Sequence, residues 1–207
     1  MTILLSDDRV RAVPVVETGE PLVRLPASLS PAGALVRAGL ADRLMAADLQ
    51  LPRGIQLRVV EGFRPLADQQ TIITSYAAQV RAHHPGADEV ELARLTSRFV
   101  APVDVAPHVA GAAADLTLVD VCGEELDLGT PIDATPEDSD GRCYFAAAGI
   151  GADARAHRAL LADVLGRQGL VNYPTEWWHW SFGDRYWALV SGARHALYGP
   201  LAATVAA

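Results

Sequence analysis

The chain has 207 residues, 50% of them hydrophobic and 20% charged, which is the balance of a folded globular protein and not of a disordered tail. Its formal net charge is −8, with no basic run, which excludes a nucleic-acid binder, because phosphates need clustered Lys and Arg. No stretch approaches the roughly 20 apolar residues of a membrane span, and MTILLSDDRV lacks a basic region ahead of its short apolar patch, so no membrane partner is expected and the sequence reads as cytoplasmic.

Residues 1–33 are rich in Pro and Gly and read as an extended N-terminal arm with short strands. Pro31 then precedes apolar residues at spacings of three and four (Ala34, Leu35, Ala38, Leu40, Leu44, Met45, Ala47, Leu49), which predicts a helix over 32–49. GIQLRVVEGF, 54–63, alternates and is β-branched, so it predicts a strand. Pro65 follows and suits a helix N1 position; the helix it opens ends at Pro85 and Gly86. A further helix is expected over 87–100, with acids in its first turn. AADLTLVD reads as a strand with Leu116 and Leu118 on one face, and 133–143 as a polar loop. Residues 152–168 form an amphipathic helix closed by Gly169. The stretch 171–190 mixes strand-like aromatics with a short helix. Helices dominate the first half and strands the second, without βαβ alternation, which favours α+β and one domain over 1–207.

A chain this long can bury a core without staples, so a bound metal would serve catalysis. Cys122 and Cys143 match no zinc or redox spacing and read as plain thiols. Of the six histidines, His83 and His84 sit at a helix C-terminus, where they meet the dipole. His157 sits between Arg155 and Arg158 on a solvated helix face, and His195 carries no signal. His108 differs, because it lies among small residues seven positions before Asp115, which opens an apolar strand. A buried carboxylate must be paired or bind metal. On a straight strand an odd separation sends two side chains to opposite faces, so their meeting needs a turn, and Gly111 is its natural place.

TEWWHW, 175–180, adds Glu176 and His179. A catalytic zinc takes three protein ligands and keeps an open position. His108, Asp115 and His179 would supply two imidazoles and a carboxylate, leaving Glu176 to take a proton from water. The competing reading makes them polar passengers on an aromatic core strand, with the tryptophans as core packing, Trp187 most of all. Arg64 ends a strand, where it could serve a developing oxyanion or pair with Glu61 or Asp68.

Taken in order, Arg64 in GFRP, His108 and Asp115 in PHVAGAAADL, and Glu176 and His179 in EWWH resemble the zinc D-alanyl-D-alanine dipeptidases of the vancomycin-resistance type. That group belongs to a metallopeptidase family that also contains D,D-carboxypeptidases. The resemblance covers about 54 to 182, and EWWH with GFRP favours the dipeptidase branch. It implies one zinc per chain on His108, Asp115 and His179, with Glu176 as general base and acid and Arg64 on the oxyanion. It further implies Asp133, in LDLGTPID, near the substrate ammonium, a small dipeptide as substrate, and a small α+β domain with a central antiparallel sheet flanked by helices. The alternatives are a D,D-carboxypeptidase on peptidoglycan stems or a non-catalytic zinc-binding module. Two positions depart from the family pattern: Ala106 replaces the serine two residues before the first zinc histidine, and Phe63 replaces a tyrosine.

Overall fold

AADLTLVD forms β4 (Ala113–Asp120), buried along all but its last residue. The computed structural model describes residues 2–201, and β4 is the inner strand on which their main sheet is built. On one side β4 pairs with β3 (Ile55–Glu61), on the other with β6 (His179–Ser181), which in turn pairs with β5 (Val171–Asn172). All three pairings are antiparallel. Strand alternation then divides β4 into two faces. Leu116 and Leu118 join Leu57 and Val59 of β3 in the largest apolar cluster, whereas Asp115 faces the other way. A separate two-stranded ribbon pairs β1 (Leu22–Arg24) with β2 (Leu35–Arg37).

Helices α2 (Ala38–Asp48) and α5 (Ala152–Arg167) cover the apolar face. They contribute Leu40, Leu44, Leu161, Val164 and Leu165, all essentially solvent-free. Each such side chain contributes about 1.5–3 kcal/mol on burial. The helices α3 (Leu66–His83) and α4 (Glu89–Thr96) pack on each other through Tyr76, Val80, Leu92 and Leu95. Near the chain's ends, α1 (Asp8–Ala12) packs against α6 (Arg185–Ser191), whose N-cap Asp184 accepts from the Tyr186 and Trp187 amides.

The architecture is the expected α+β arrangement with an antiparallel sheet flanked by helices. Several local expectations need correction. The helix expected over 32–49 begins only at Ala38, because Leu35–Arg37 pair with β1 instead. Two of its supposed core positions, Met45 and Leu49, are exposed. Strands occur in both halves of the chain, so the fold class rests on antiparallel pairing and not on segregation of helices from strands. The N-terminal arm contains α1 as well as β1. Pro65 caps α3 from outside its first turn instead of occupying it. The helix expected over 87–100 stops at Thr96, and the chain then turns toward the site. Arg158, next to His157 on α5, is buried and donates to the carbonyls of Leu128, Arg142, Tyr144 and Phe145.

Candidate metal centre and active site

The turn expected at Gly111 is present. Residues 107–111 fold back, with the Gly111 amide donating to His108 O (3.0 Å) and the Ala112 amide to Pro107 O (3.0 Å). Gly111 has φ +65°, and a Cβ there would lie 2.4 Å from Leu22 Cδ2, so both backbone and space require glycine. Buried Arg37 braces the turn from outside, its amide on Gly111 O (2.8 Å) and its Nε on Ala110 O (2.9 Å). His108 Nδ1 lies 2.7 Å from Gly62 O. A carbonyl only accepts, so Nδ1 carries the proton and Nε2 presents its lone pair inward, as metal-binding histidines are usually oriented.

Sheet register brings in the other two donors. Asp115 is the register partner of His179 on one side and of Glu61 on the other, next to an irregularity between Val59 and Glu61. Directly opposed side chains on neighbouring strands meet. His108 Nε2 lies 3.0 Å from His179 Nδ1. The Asp115 carboxylate lies 3.1 Å from His179 Nδ1 and 3.3 Å from His108 Nε2. Ligands about 2.0–2.1 Å from a tetrahedral zinc are separated by roughly 3.3 Å, so these spacings are close to the edge length of such a site, with Asp115 Oδ1 facing His179 and Oδ2 facing His108. The donor set, two imidazoles and a carboxylate, is also a catalytic zinc set. All three residues are buried. Burial alone would raise the Asp115 pKa, but the two histidines outweigh it and hold the carboxyl well below its usual range. Burial pulls His179 down, which favours the neutral, coordinating form, while at His108 burial also pulls down but the charge and hydrogen bond of Asp115 together raise it.

A turn brings Glu176 and His179 to the same site. His179 opens β6, and Glu176 lies in the preceding loop, its amide donating to Tyr173 O (2.9 Å). Asn172 Nδ2 reaches the carbonyls of Glu176 (2.9 Å), Trp177 (3.3 Å) and His179 (2.9 Å), clamping the loop to the strand. Glu176 Oε2 stands 3.8 Å from His179 Nδ1, facing the triad without bonding to it. Burial, then the Asp115 and Asp133 charges, push its pKa well up, which suits a group that must take and return a proton. Of the three tryptophans in this stretch only Trp178 lines the cavity. Trp177 and Trp180 are core packing, with Trp177 Nε1 donating to Thr130 Oγ1 (2.9 Å).

Arg64 makes the ion pair with Glu61. Its Nε and one terminal nitrogen bond the two Glu61 oxygens (2.7 and 2.5 Å), and its other terminal nitrogen bonds Gln69 Oε1 (2.9 Å). It nevertheless lines the same cavity as the triad, and its amide donates to His108 O (3.1 Å). Asp68 takes no part in this pairing. Asp133 also lines the cavity, in the left-handed conformation at φ 62°, a region a short polar side chain tolerates best. Burial first, then the charges of Asp115 and Glu61, raise its pKa. The cavity measures about 290 Å³. Ala106 contributes to its lining; Phe63 is not among the lining residues, and its amide bonds Leu35 O (2.6 Å).

Sequence reasoning missed Gln69, Asn172, Arg37 and Leu5. Gln69 and Asn172 act through single hydrogen-bonding groups, and only the fold shows where these aim. The remaining histidines stay outside the site. His83 Nδ1 bonds Gln79 O (3.1 Å), His84 caps α3 and lies 3.6 Å from Glu137, and half-buried His157 bonds Asp127 O (2.7 Å). Both cysteines are free. Among the described residues no helix is long and apolar enough to cross a membrane.

A family model described as "D-ala-D-ala dipeptidase" matches residues 31–193. A D-alanyl-D-alanine dipeptidase from Synechocystis sp. (strain PCC 6803) is 26% identical over 224 aligned positions, covering 89% of this chain and 90% of the relative. Two solved structures are similar in fold. One is a mutant of the vancomycin-resistance D,D-pentapeptidase VanY, from a VanB-type cassette, in complex with Zn(II). It is 17% identical with a TM-score of 0.48, over 92% of this chain and 96% of that one. The other is VanYB in complex with D-alanine-D-alanine, 17% identical with a TM-score of 0.49, over 90% of this chain and 94% of that one.

Proposed function

The chain belongs to the D-Ala-D-Ala dipeptidase family, and on that premise we infer that it is a zinc-dependent dipeptidase acting on D-alanyl-D-alanine or a related small dipeptide. His108, Asp115 and His179 hold one zinc. The reading is carried by one observation: His108 Nε2, His179 Nδ1 and the Asp115 carboxylate converge within 3.0–3.3 Å of one another, and a buried carboxylate, Glu176, faces them without bonding. When bound, zinc supplies a Lewis acid that lowers the pKa of water toward ~7 and polarises a carbonyl.

The chain's own groups do the rest. Glu176, in its ionised form, accepts the proton of the attacking water and returns it to the leaving amine. Arg64 is held in place by Glu61 and Gln69, which occupy three of the five N–H donors of a guanidinium. The two left over are available to donate to the oxyanion as charge develops there. Asp133 meets the substrate's free ammonium. Trp178 keeps bulk water from the site, which strengthens each of these interactions. The N-terminal segment belongs to the same catalytic unit as the metal ligands, since Leu5 and His179 line the same cavity.

A screen of free and N-acetylated D,D-dipeptides tests this reading. D-Ala-D-Ala should be cleaved with zinc present and its N-acetyl form rejected, because acetylation removes the charge that Asp133 pairs with. Preference for the blocked peptide would favour the D,D-carboxypeptidase alternative, and zinc binding without hydrolysis the non-catalytic one.

A further inference from the structure

The charged lining of the cavity comes from β3, β4, the Asp133 loop and the turn before β6. Apart from Gln69 and the histidines the rest is apolar, and most of it has a different origin. Leu5 comes from the N-terminal segment, Ile72 from α3, Phe99, Val100 and Ala101 from the stretch leaving α4, and Ala106 from the approach to the His108 turn. Leu5, Ala101 and Ala106 pack in one cluster and Val100, Ile72 and Phe99 in the next. Because Val100 and Ala101 are consecutive, the two clusters form one continuous wall. Ile72 and Phe99 are only half-buried, so they present apolar surface to the cavity interior.

Leu5 is a built part of this wall, not a loose end. It is 3% exposed. Its amide donates to Tyr173 Oη (3.1 Å), Tyr173 Oη donates to Ser97 O (2.5 Å), and the Ser6 and Ser97 hydroxyls are 2.7 Å apart. Residue 5 also lies outside the 31–193 span matched by the family model. The wall is therefore completed by a residue outside the span that the family model matches. A cavity of about 290 Å³ holds the equivalent of roughly ten waters. D-Ala-D-Ala offers this wall only two methyl side chains, and poorly ordered waters against apolar surface are displaced with gain by an apolar group.

We propose that this wall, completed by Leu5, is a side-chain subsite that selects dipeptides carrying one apolar side chain larger than methyl. The proposal rests on the dipeptidase reading above and narrows its substrate. One added methylene in an apolar pocket changes kcat/KM by about tenfold or more, so discrimination of that order is expected. A polar side chain of the same size gains nothing there, because it loses water without a hydrogen-bond partner.

The test measures kcat/KM of the zinc-loaded full chain for D-Ala-D-Ala, D-Leu-D-Ala, D-Ala-D-Leu and the isosteric D-Asn-D-Ala and D-Ala-D-Asn. One of the leucine dipeptides should exceed both D-Ala-D-Ala and its asparagine counterpart by about tenfold. In Leu5→Asn and in Ile72→Thr that ratio should fall toward one. Ile72 is half-buried, so its variant serves even if Leu5→Asn folds poorly. D-Ala-D-Ala as the best substrate, or a leucine preference unchanged in Ile72→Thr, overturns the subsite. Failure of the dipeptidase reading gives a different result, namely hydrolysis of none of the five. Calorimetry on the zinc-loaded chain then decides the subsite separately: tighter binding of a leucine dipeptide than of D-Ala-D-Ala supports it, and equal binding overturns it.

Discussion

Replacing Arg64 by alanine tests the division of its donors. Glu61 and Gln69 take three N–H groups, and five are available. If the remaining two act on the oxyanion, their loss should lower kcat by about 10²–10³-fold, or roughly 3–4 kcal/mol, with KM little changed. The same substitution strands Gln69 Oε1, in a residue 1% exposed, at a cost of about 1–3 kcal/mol of stability. For a chain of this size that lowers the melting temperature by roughly 2–4 °C per kcal/mol. Glu61, a third exposed, recovers hydration and adds little. Arg64→Lys should recover only part of the rate, since an ammonium cannot bridge Glu61 and Gln69 while donating to substrate. The assay is steady-state hydrolysis of D-Ala-D-Ala, with zinc content measured on the same preparation. A kcat within about threefold of the parent, with only KM raised, would refute the oxyanion role and leave Arg64 as a ground-state binder. Loss of zinc would show that it acts through the His108 turn instead.

Other expectations follow from the same geometry. Gly111→Ala forces a β-carbon against Leu22 and a left-handed φ on alanine. It should cost about 1–3 kcal/mol of stability and weaken zinc affinity by displacing His108, as read by competition with a chelator; unchanged zinc affinity would detach the turn from the metal site. Glu176 must be ionised to accept a proton, and burial, Asp115 and Asp133 all raise its pKa, so activity should be lost on acidification at a pH above the usual carboxylate range of ~4.3. Asp133→Asn removes one of the charges responsible, so the acid limb of kcat/KM should move to lower pH while KM for free dipeptides rises. A limb that stays in place or moves up would contradict the assignment.

Much of the site was legible in the sequence because its logic is local. The pairing of His108 with Asp115 required a turn, and Gly111 was the residue able to make it. The long helices α3 and α5 were legible for the same reason, since periodicity and terminating glycine or proline lie within one segment. Leu35–Arg37 were misread because a short apolar run fits either period, and the deciding partner, Leu22–Arg24, lies elsewhere in the chain. The positions of Glu176 and His179 could not be read from spacing alone: Asn172 fixes the turn that separates them, and the register of β6 on β4 aims His179 at Asp115. Leu5 gave no signal, because an apolar residue near a chain end acquires meaning only when the fold returns it to the cavity.

The central claim is that one zinc sits on His108, Asp115 and His179 while Glu176 moves the proton. The most direct test is turnover of D-Ala-D-Ala by zinc-loaded Glu176→Gln, with metal content determined on the same sample. The account predicts one zinc per chain, as in the parent, and a turnover lower by about 10²–10⁴-fold. Full metal occupancy with undiminished turnover would contradict it.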